Sequence, residues 1–213
     1  MKYKTIIWDF NGTLLADMEI SIKAMNTVLS RRNLPIIPSV DAFRDVFCFP
    51  VEEYYGRVGL DFSKEPFKIP ADEWVELYSA DMYDAPLINE AKEALEGFRK
   101  AGIKQVILSA SEKNRLITHL EKLEIIDYFD EIHGAGDVYA NGKKDLAVML
   151  SKRSELFPAV LIGDTDHDCK CAELIGCDTY LFSGGFMSAN RLAESGCPVS
   201  DSLLDISKII LNT

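Results

Sequence analysis

Asp9 ends an apolar run and opens a tight polar turn, IIWDFNGTL. Three later places offer matching chemistry. Ser109 closes the run IKQVIL, Lys143 and Lys144 follow Gly142, and Asp164 and Asp168 fall in GDTDHD (163–168) after AVLI. Carboxylates gathered on one point suit a hard cation such as Mg²⁺, which takes oxygen ligands and keeps waters or substrate phosphate. A carboxylate that attacks phosphorus forms an aspartyl-phosphate and splits one difficult step into two. The amides of Gly12-Thr13, the Ser109 hydroxyl and a lysine ammonium would then hold phosphoryl oxygens. Each signal alone has an ordinary explanation. An Asp at a strand end caps or turns the chain, LSAS caps a following helix, and GDTDHD makes an Asx-rich turn. It is their order, each behind a strand, that coincidence explains poorly.

Strands must carry these residues. Short apolar runs predict strands at 5–8, 103–108, 130–133, 159–162 and 179–182. Helical spacing lies between them. Ile88, Ala91, Leu95 and Phe98 repeat at three and four before Gly102; Leu116, Leu120 and Leu123 come next; then Leu146, Met149 and Leu150; then Leu203, Ile206 and Ile210. Strands alternating with helices imply a mostly parallel sheet covered on both faces, with its ligand site at the carboxyl ends of the strands. Neighbouring strands lie about 4.8 Å apart, so Asp9 and Asp164 could share one cation. Residues 16–86 break the alternation. Met18, Ile22, Met25 and Leu29 make one helix face, Trp74, Leu77 and Tyr78 another, and Pro35, Pro38, Pro50, Pro66 and Pro70 punctuate the segment. The expected organisation is an α/β core of residues 1–15 and 87–213 with an α-helical cap of residues 16–86 inserted in it.

Composition narrows the partners. The 213 residues are 47% hydrophobic and 27% charged, which fits a folded globular chain rather than a disordered one. A net charge of −11 argues against nucleic acid, which demands clustered Lys and Arg, and against anionic membranes. No apolar run reaches the ~18 residues that span a bilayer, and MKYKTIIWDF reads as a first strand rather than a signal peptide. The expectation is a cytoplasmic protein with its five cysteines reduced and mostly buried as small apolar groups.

The ordered set DFNGTL (9–14), VILS (106–109), GKK (142–144) and GDTDHD (163–168) resembles the haloacid dehalogenase-like superfamily, whose first motif is DxDGT[LV]. The segments 93–111 and 181–199 are most similar to its phosphoglycolate phosphatase-like branch. The resemblance implies a Rossmann-like core with a helical cap between the first two motifs, Mg²⁺ as cofactor and a small phosphorylated metabolite as substrate. It implies Asp9 as nucleophile and metal ligand, the Asn11 main-chain oxygen as a further ligand, and Gly12, Thr13 and Ser109 at the phosphate. Asp164 would bind the metal, and Asp168 would ligate it or orient the site. Lys143 would neutralise Asp9 and the phosphoryl group, with Lys144 as the alternative, and Asp137 would orient part of the site or simply face solvent.

Asn11 departs from that pattern. Phosphatases of the superfamily carry there a second Asp, which protonates the leaving alcohol and then deprotonates water. An amide does neither, and such help is worth about 10²–10⁴-fold. Asn11 therefore implies slow turnover on alkyl phosphates, a leaving group of low pKa such as an aryl or acyl phosphate, or an acid from elsewhere, for which Asp166 and His167 are the nearby candidates. Two other readings remain. One is phosphonatase or dehalogenase chemistry, the former needing a buried cap lysine among Lys23, Lys64 and Lys68. The other is a catalytically weak phosphate-binding or regulatory protein. In the cap, Arg57, Phe47 and Tyr54 could face the site or belong to surface and core.

Overall fold

The computed structural model describes residues 2–136 and 142–213; Asp137, weighed as an orienting or a solvated loop residue, lies outside them. In chain order the elements are β1 (Thr5–Trp8), α1 (Met18–Ser30), α2 (Val40–Val46), α3 (Val51–Arg57), α4 (Lys68–Asp81), α5 (Ala91–Lys100), β2 (Lys104–Glu112), α6 (Lys113–Lys122), β3 (Glu131–Ala135), α7 (Lys143–Ser151), β4 (Ala159–Gly163), α8 (Asp166–Ile175), β5 (Asp178–Phe182), α9 (Ala189–Ala193), β6 (Val199–Ser200) and α10 (Leu203–Leu211).

Among the described residues the six strands are all parallel, in the order β3-β2-β1-β4-β5-β6. Helices cover both faces, and the strand side chains divide between them with the period of two that a pleated strand imposes. Ile6 and Trp8 of β1, Ile107 of β2, and Val160 and Ile162 of β4 pack with Leu95 and Phe98 of α5, Leu116 of α6 and Ile206 of α10. Ile7, Val106, Leu108 and Leu161, one residue out of phase, pack the other way against Ala147 and Leu150 of α7 and Ala172 of α8. This double burial explains why the strands read as unbroken apolar runs.

Helices α1–α4 fill the chain between β1 and β2 and have an apolar cluster of their own. Met25, Val28 and Leu29 of α1 meet Phe43, Phe47, Tyr54 and Tyr55 there, and Phe186, from the loop after β5, inserts among them. Arg44 donates to the carbonyls of Gly184 (2.7 Å) and Gly185 (2.9 Å), and Arg191 donates to those of Arg44 and Phe47. These bonds tie the α2 region to the β5–α9 loop. Among the described residues no helix is long and apolar enough to cross a membrane.

Several expectations need adjustment. Helix α5 begins at Ala91, so Ile88 stands outside it, where its amide donates to the Leu14 carbonyl at 2.8 Å. Strand β2 runs on to Glu112 through an irregularity after Leu108. Glu112, not LSAS, caps the next helix, accepting from the amides of Asn114 and Arg115 at 3.0 Å each. The cysteines are not all free. Cys169 on α8 is bonded to Cys197 ahead of β6, where both join a small cluster with Leu181 and Met187.

Candidate active site

The register sets the strand ends side by side. Trp8 lies opposite Ile162 of β4 and Ile107 of β2, and the Asp9 amide donates to the Ile162 carbonyl at 2.9 Å. Asp9 therefore leaves β1 where β4 turns out Asp164. The chain then winds tightly, the amides of Leu14 and Leu15 both donating to the Phe10 carbonyl at 2.9 Å. Gly12 makes this turn at φ +76°, and a Cβ there would fall 2.2 Å from Asp164 Oδ2. Only glycine satisfies both the left-handed backbone and the close approach. Gly185 approaches from the other side, where a Cβ would meet the same oxygen at 2.2 Å.

Within this cradle Thr13 Oγ1 lies 3.3 Å from both Asp9 Oδ2 and Asp164 Oδ1, and the Phe186 amide donates to Asp164 Oδ2 at 2.6 Å. Ser109 is fully buried at the neighbouring strand end and accepts from the Ser111 amide at 3.0 Å. Lys143, the first residue of α7, is buried and donates from Nζ to Asp9 Oδ1 and, at 2.6 Å, to Asp168 Oδ1. Lys144 points to solvent. Asp168 occupies the third position of α8 in a capping box. Its Oδ2 accepts from the Thr165 hydroxyl (2.8 Å) and amide (3.0 Å) and from the Asp164 amide (3.2 Å). Both Asp168 oxygens are thus engaged in orienting Lys143 and the loop.

Three buried carboxylates surround one ammonium. Burial raises Asp9 to about 6 against the pull of Lys143. Burial, with Asp9 and Asp168 as negative neighbours, raises Asp164 well above the carboxylate range. For Asp168 burial works the same way, but Lys143 and Thr165 outweigh it and hold the group low. Burial opposes the Lys143 charge, yet Asp168 and Asp9 keep it firmly protonated. Oxygen atoms of Asp9, Asp164 and Asp168 lie within 4.8 Å of one another. An all-oxygen donor set with surplus negative charge fits a hard divalent cation.

Asn11 is bound on all sides. Its Nδ2 donates to Asp17 Oδ2 at 2.7 Å and to the Tyr78 hydroxyl at 3.0 Å, and its Oδ1 accepts from the Ser111 hydroxyl at 2.6 Å. Tyr78 also donates to Asp17 at 2.6 Å, and Asp17 Oδ1 accepts from the Gly12 amide at 3.1 Å. Sequence reasoning missed Asp17 and Ser111 and placed Tyr78 only on a helix face. A signal existed for Ser111, which shares a strand face with Ser109 two residues earlier. None existed for Asp17.

The two residues considered as substitute acids sit elsewhere. Asp166 pairs with Lys170 at 2.6 Å. His167 packs against Phe49 and Cys171, and burial lowers it to about 4, leaving it neutral at physiological pH. Phe47 and Tyr54 line a cavity of about 170 Å³ that opens beside Asn11 and Ser111, whereas Arg57 pairs with Glu53 on the surface.

Residues 6–182 match the family described as haloacid dehalogenase-like hydrolase. A phosphoglycolate phosphatase of Caulobacter vibrioides is 24% identical over 216 residues, covering 96% of this chain and 89% of its own. A predicted phosphatase from Clostridium acetobutylicum superposes with a TM-score of 0.83 at 18% identity over the whole of both chains. A haloacid dehalogenase-like family protein from Streptococcus pneumoniae does so with a TM-score of 0.81 at 21% identity, covering 98% of this chain and 99% of its own. The chain belongs to the haloacid dehalogenase-like hydrolase family.

Proposed function

We propose that the protein is a cytoplasmic, Mg²⁺-dependent phosphatase that cleaves a small phosphorylated metabolite through an aspartyl-phosphate on Asp9, with residues 16–86 acting as its cap. The observation that carries this reading is Asp9 itself. It is a buried carboxylate at a strand end, held through Oδ1 by Lys143 and through Oδ2 by Thr13, with a second carboxylate, Asp164, on the same Thr13 hydroxyl. The Caulobacter relative's activity supports the phosphatase class.

An Asp9 oxygen attacks phosphorus, a P–O bond forms to the carboxylate, and the bond to the leaving oxygen breaks with its electron pair. Water then attacks the aspartyl-phosphate, releasing phosphate and restoring Asp9. Lys143 holds Asp9 in place and offsets charge on the phosphoryl oxygens, while Thr13, Ser109 and the Gly12-Thr13 amides orient them. Asp9, Asp164 and the Asn11 main-chain oxygen would hold Mg²⁺, and Asp168 would keep Lys143 aligned. The cation would supply charge neutralisation at the phosphoryl group.

Lys23, Lys64 and Lys68 pair with Asp81, Asp61 and Asp72 at the surface, which leaves phosphonatase chemistry without its buried amine. A second reading, a weak phosphate-binding protein, is favoured by the fully committed Asn11 side chain. Phosphate release from 4-nitrophenyl phosphate and acetyl phosphate, with Mg²⁺ and with EDTA, separates the two. Release that needs Mg²⁺ and falls on the order of 10³-fold or more in Asp9→Asn is expected. Unchanged release in that variant would overturn the proposal, and halide release from a haloacid in EDTA would replace it with dehalogenase chemistry.

A further inference from the structure

The cavity beside Asn11 lies between the strand ends and helices α1, α3 and α4. Its floor is polar, made by Asn11, Asp17 and the Ala110–Glu112 stretch. Its walls are aromatic: Phe49, Tyr54 and Phe186, which all pack on Phe47, and the pair Trp74 and Tyr78. Trp74 and Tyr78 are themselves stacked, 4.7 Å apart at 11°. The one cation among the described lining residues, Arg115, is turned to the Ser79 hydroxyl at 2.7 Å. A two-carbon acid or a sugar would strip its polar groups of water here and regain little, since buried polar groups need partners. A planar ring would lose nothing and gain ring–ring contact.

Size agrees. An apolar cavity of ~150 Å³ is known to accept benzene, and this one measures about 170 Å³. Position agrees as well. Asn11 and Ser111 line the cavity and stand two residues beyond Asp9 and Ser109, which puts the cavity beside the phosphoryl site.

The commitment of Asn11 supplies the third observation. Both its amide protons are used, by Asp17 and Tyr78. It offers no proton to a leaving oxygen, which favours an oxygen that can depart as an anion. A phenol ionises near pH ~10, several units below an alcohol-like or water oxygen at ~16.

Resting on the phosphatase reading above, we propose that this cavity seats the leaving group and that the preferred substrates are aryl phosphate monoesters. An Asp9 oxygen bonds to phosphorus, the P–O(aryl) bond breaks, and its electron pair leaves on the aryl oxygen. The resulting phenolate takes a proton from bulk water after release. Water then cleaves the aspartyl-phosphate to inorganic phosphate.

The test compares kcat/KM for phenyl phosphate, acetyl phosphate and phosphoglycolate in wild type, Asp9→Asn and Val75→Phe, which narrows the cavity from α4. Acetate is the better leaving group but has no ring. Phenyl phosphate is expected to exceed both others by tenfold or more, and Val75→Phe to lower phenyl phosphate turnover at least tenfold more than acetyl phosphate turnover. In parallel, 4-nitrophenol is titrated against tryptophan fluorescence. The chain has two tryptophans, and Trp8 is buried in the sheet, so quenching is expected in wild type and lost in Trp74→Phe. Asp9-dependent hydrolysis in which acetyl phosphate or phosphoglycolate outpaces phenyl phosphate overturns the aryl proposal and leaves the phosphatase intact. Hydrolysis of none of the three, or hydrolysis indifferent to Asp9, overturns both. Absence of Trp74 quenching counts against the cavity as an aromatic site whatever the kinetics show.

Discussion

Asn11 donates its side-chain amide to the buried carboxylate of Asp17 at 2.7 Å, and the two sit on opposite sides of the Gly12 turn. An amide thus stands where the pattern DxDGT has an acid, and an acid faces it from position 17. Asn11→Asp alone would set two carboxylates against each other in a buried place. Such a pair shares one proton, and Asp17 loses a donor at a cost of about 1–3 kcal/mol. The double variant Asn11→Asp/Asp17→Asn restores the bond with its direction reversed. The amide introduced at position 17 can donate to the carboxylate introduced at position 11 and still accept from the Gly12 amide. The expected outcome is a lowered Tm and little gain for the single variant. For the double variant the Tm recovers and turnover of an alkyl phosphate rises by about 10²-fold or more. A double variant no faster than the single one would show that position 11 does not reach the leaving oxygen.

The strand-end residues were legible because buried parallel strands announce themselves. Runs such as TIIW and AVLIG are apolar throughout, and the residue after each run lies at the mouth of the sheet. Asp9, Ser109 and Asp164 stand out by their order behind such runs, not by any one position alone. The place after Gly142 and the spacing to GDTDHD favour Lys143 over Lys144, but only the orientation of the first turn of α7 decides which one enters the core. Asp17 and Tyr78 were illegible for another reason. They meet across 61 positions of chain through the packing of α1 on α4, which no local period encodes. Strand β6 has two residues, too few to show alternation. The insertion of Phe186 into the aromatic cluster of α1–α4 is a tertiary event that its own SGGFM context does not signal.

Among the described residues Lys143 is the sole ammonium between Asp9 and Asp168, and all three groups are buried. Removing one partner of a buried ionic cluster costs about 3–5 kcal/mol. At about 2–4 °C per kcal/mol for a chain of this size, Lys143→Met is expected to lower the Tm in EDTA by about 6–20 °C and to abolish turnover in Mg²⁺. Lys144→Met, on the solvent side of the same turn, is expected to change neither. Calorimetry and phosphate release on the pair of variants decide it, and equal effects at the two positions would contradict the placement of Lys143.

Asp164 and Asp9 are both raised by burial, Asp9 to about 6 and Asp164 well above the carboxylate range. A raised carboxyl binds its proton more tightly in the folded protein than in the unfolded chain, where Asp titrates near ~3.9. Their stabilising contribution is therefore complete at acid pH and is lost as pH climbs through about 6 and beyond. Asp168, held low, works the other way, and its contribution is lost only as pH falls below the ordinary carboxylate value. In EDTA the protein should thus lose stability as pH rises through about 6, where Asp9 would ionise, and the raised Asp164 adds loss in the same direction. Asp164→Asn removes one raised group while keeping an oxygen for the Phe186 amide and offering its own amide to the Thr13 hydroxyl. The expected gain at pH 7.5 without metal is about 1–2 kcal/mol, or about 2–8 °C in Tm. Mg²⁺ should reverse the ranking by stabilising the wild type alone, since a ligand that binds only the native state raises stability by mass action. Thermal melts of both proteins in EDTA and in Mg²⁺, from pH 5 to 8, test each sign. A variant no more stable than wild type in EDTA at pH 7.5 would mean that Asp164 carries no strain from its charge.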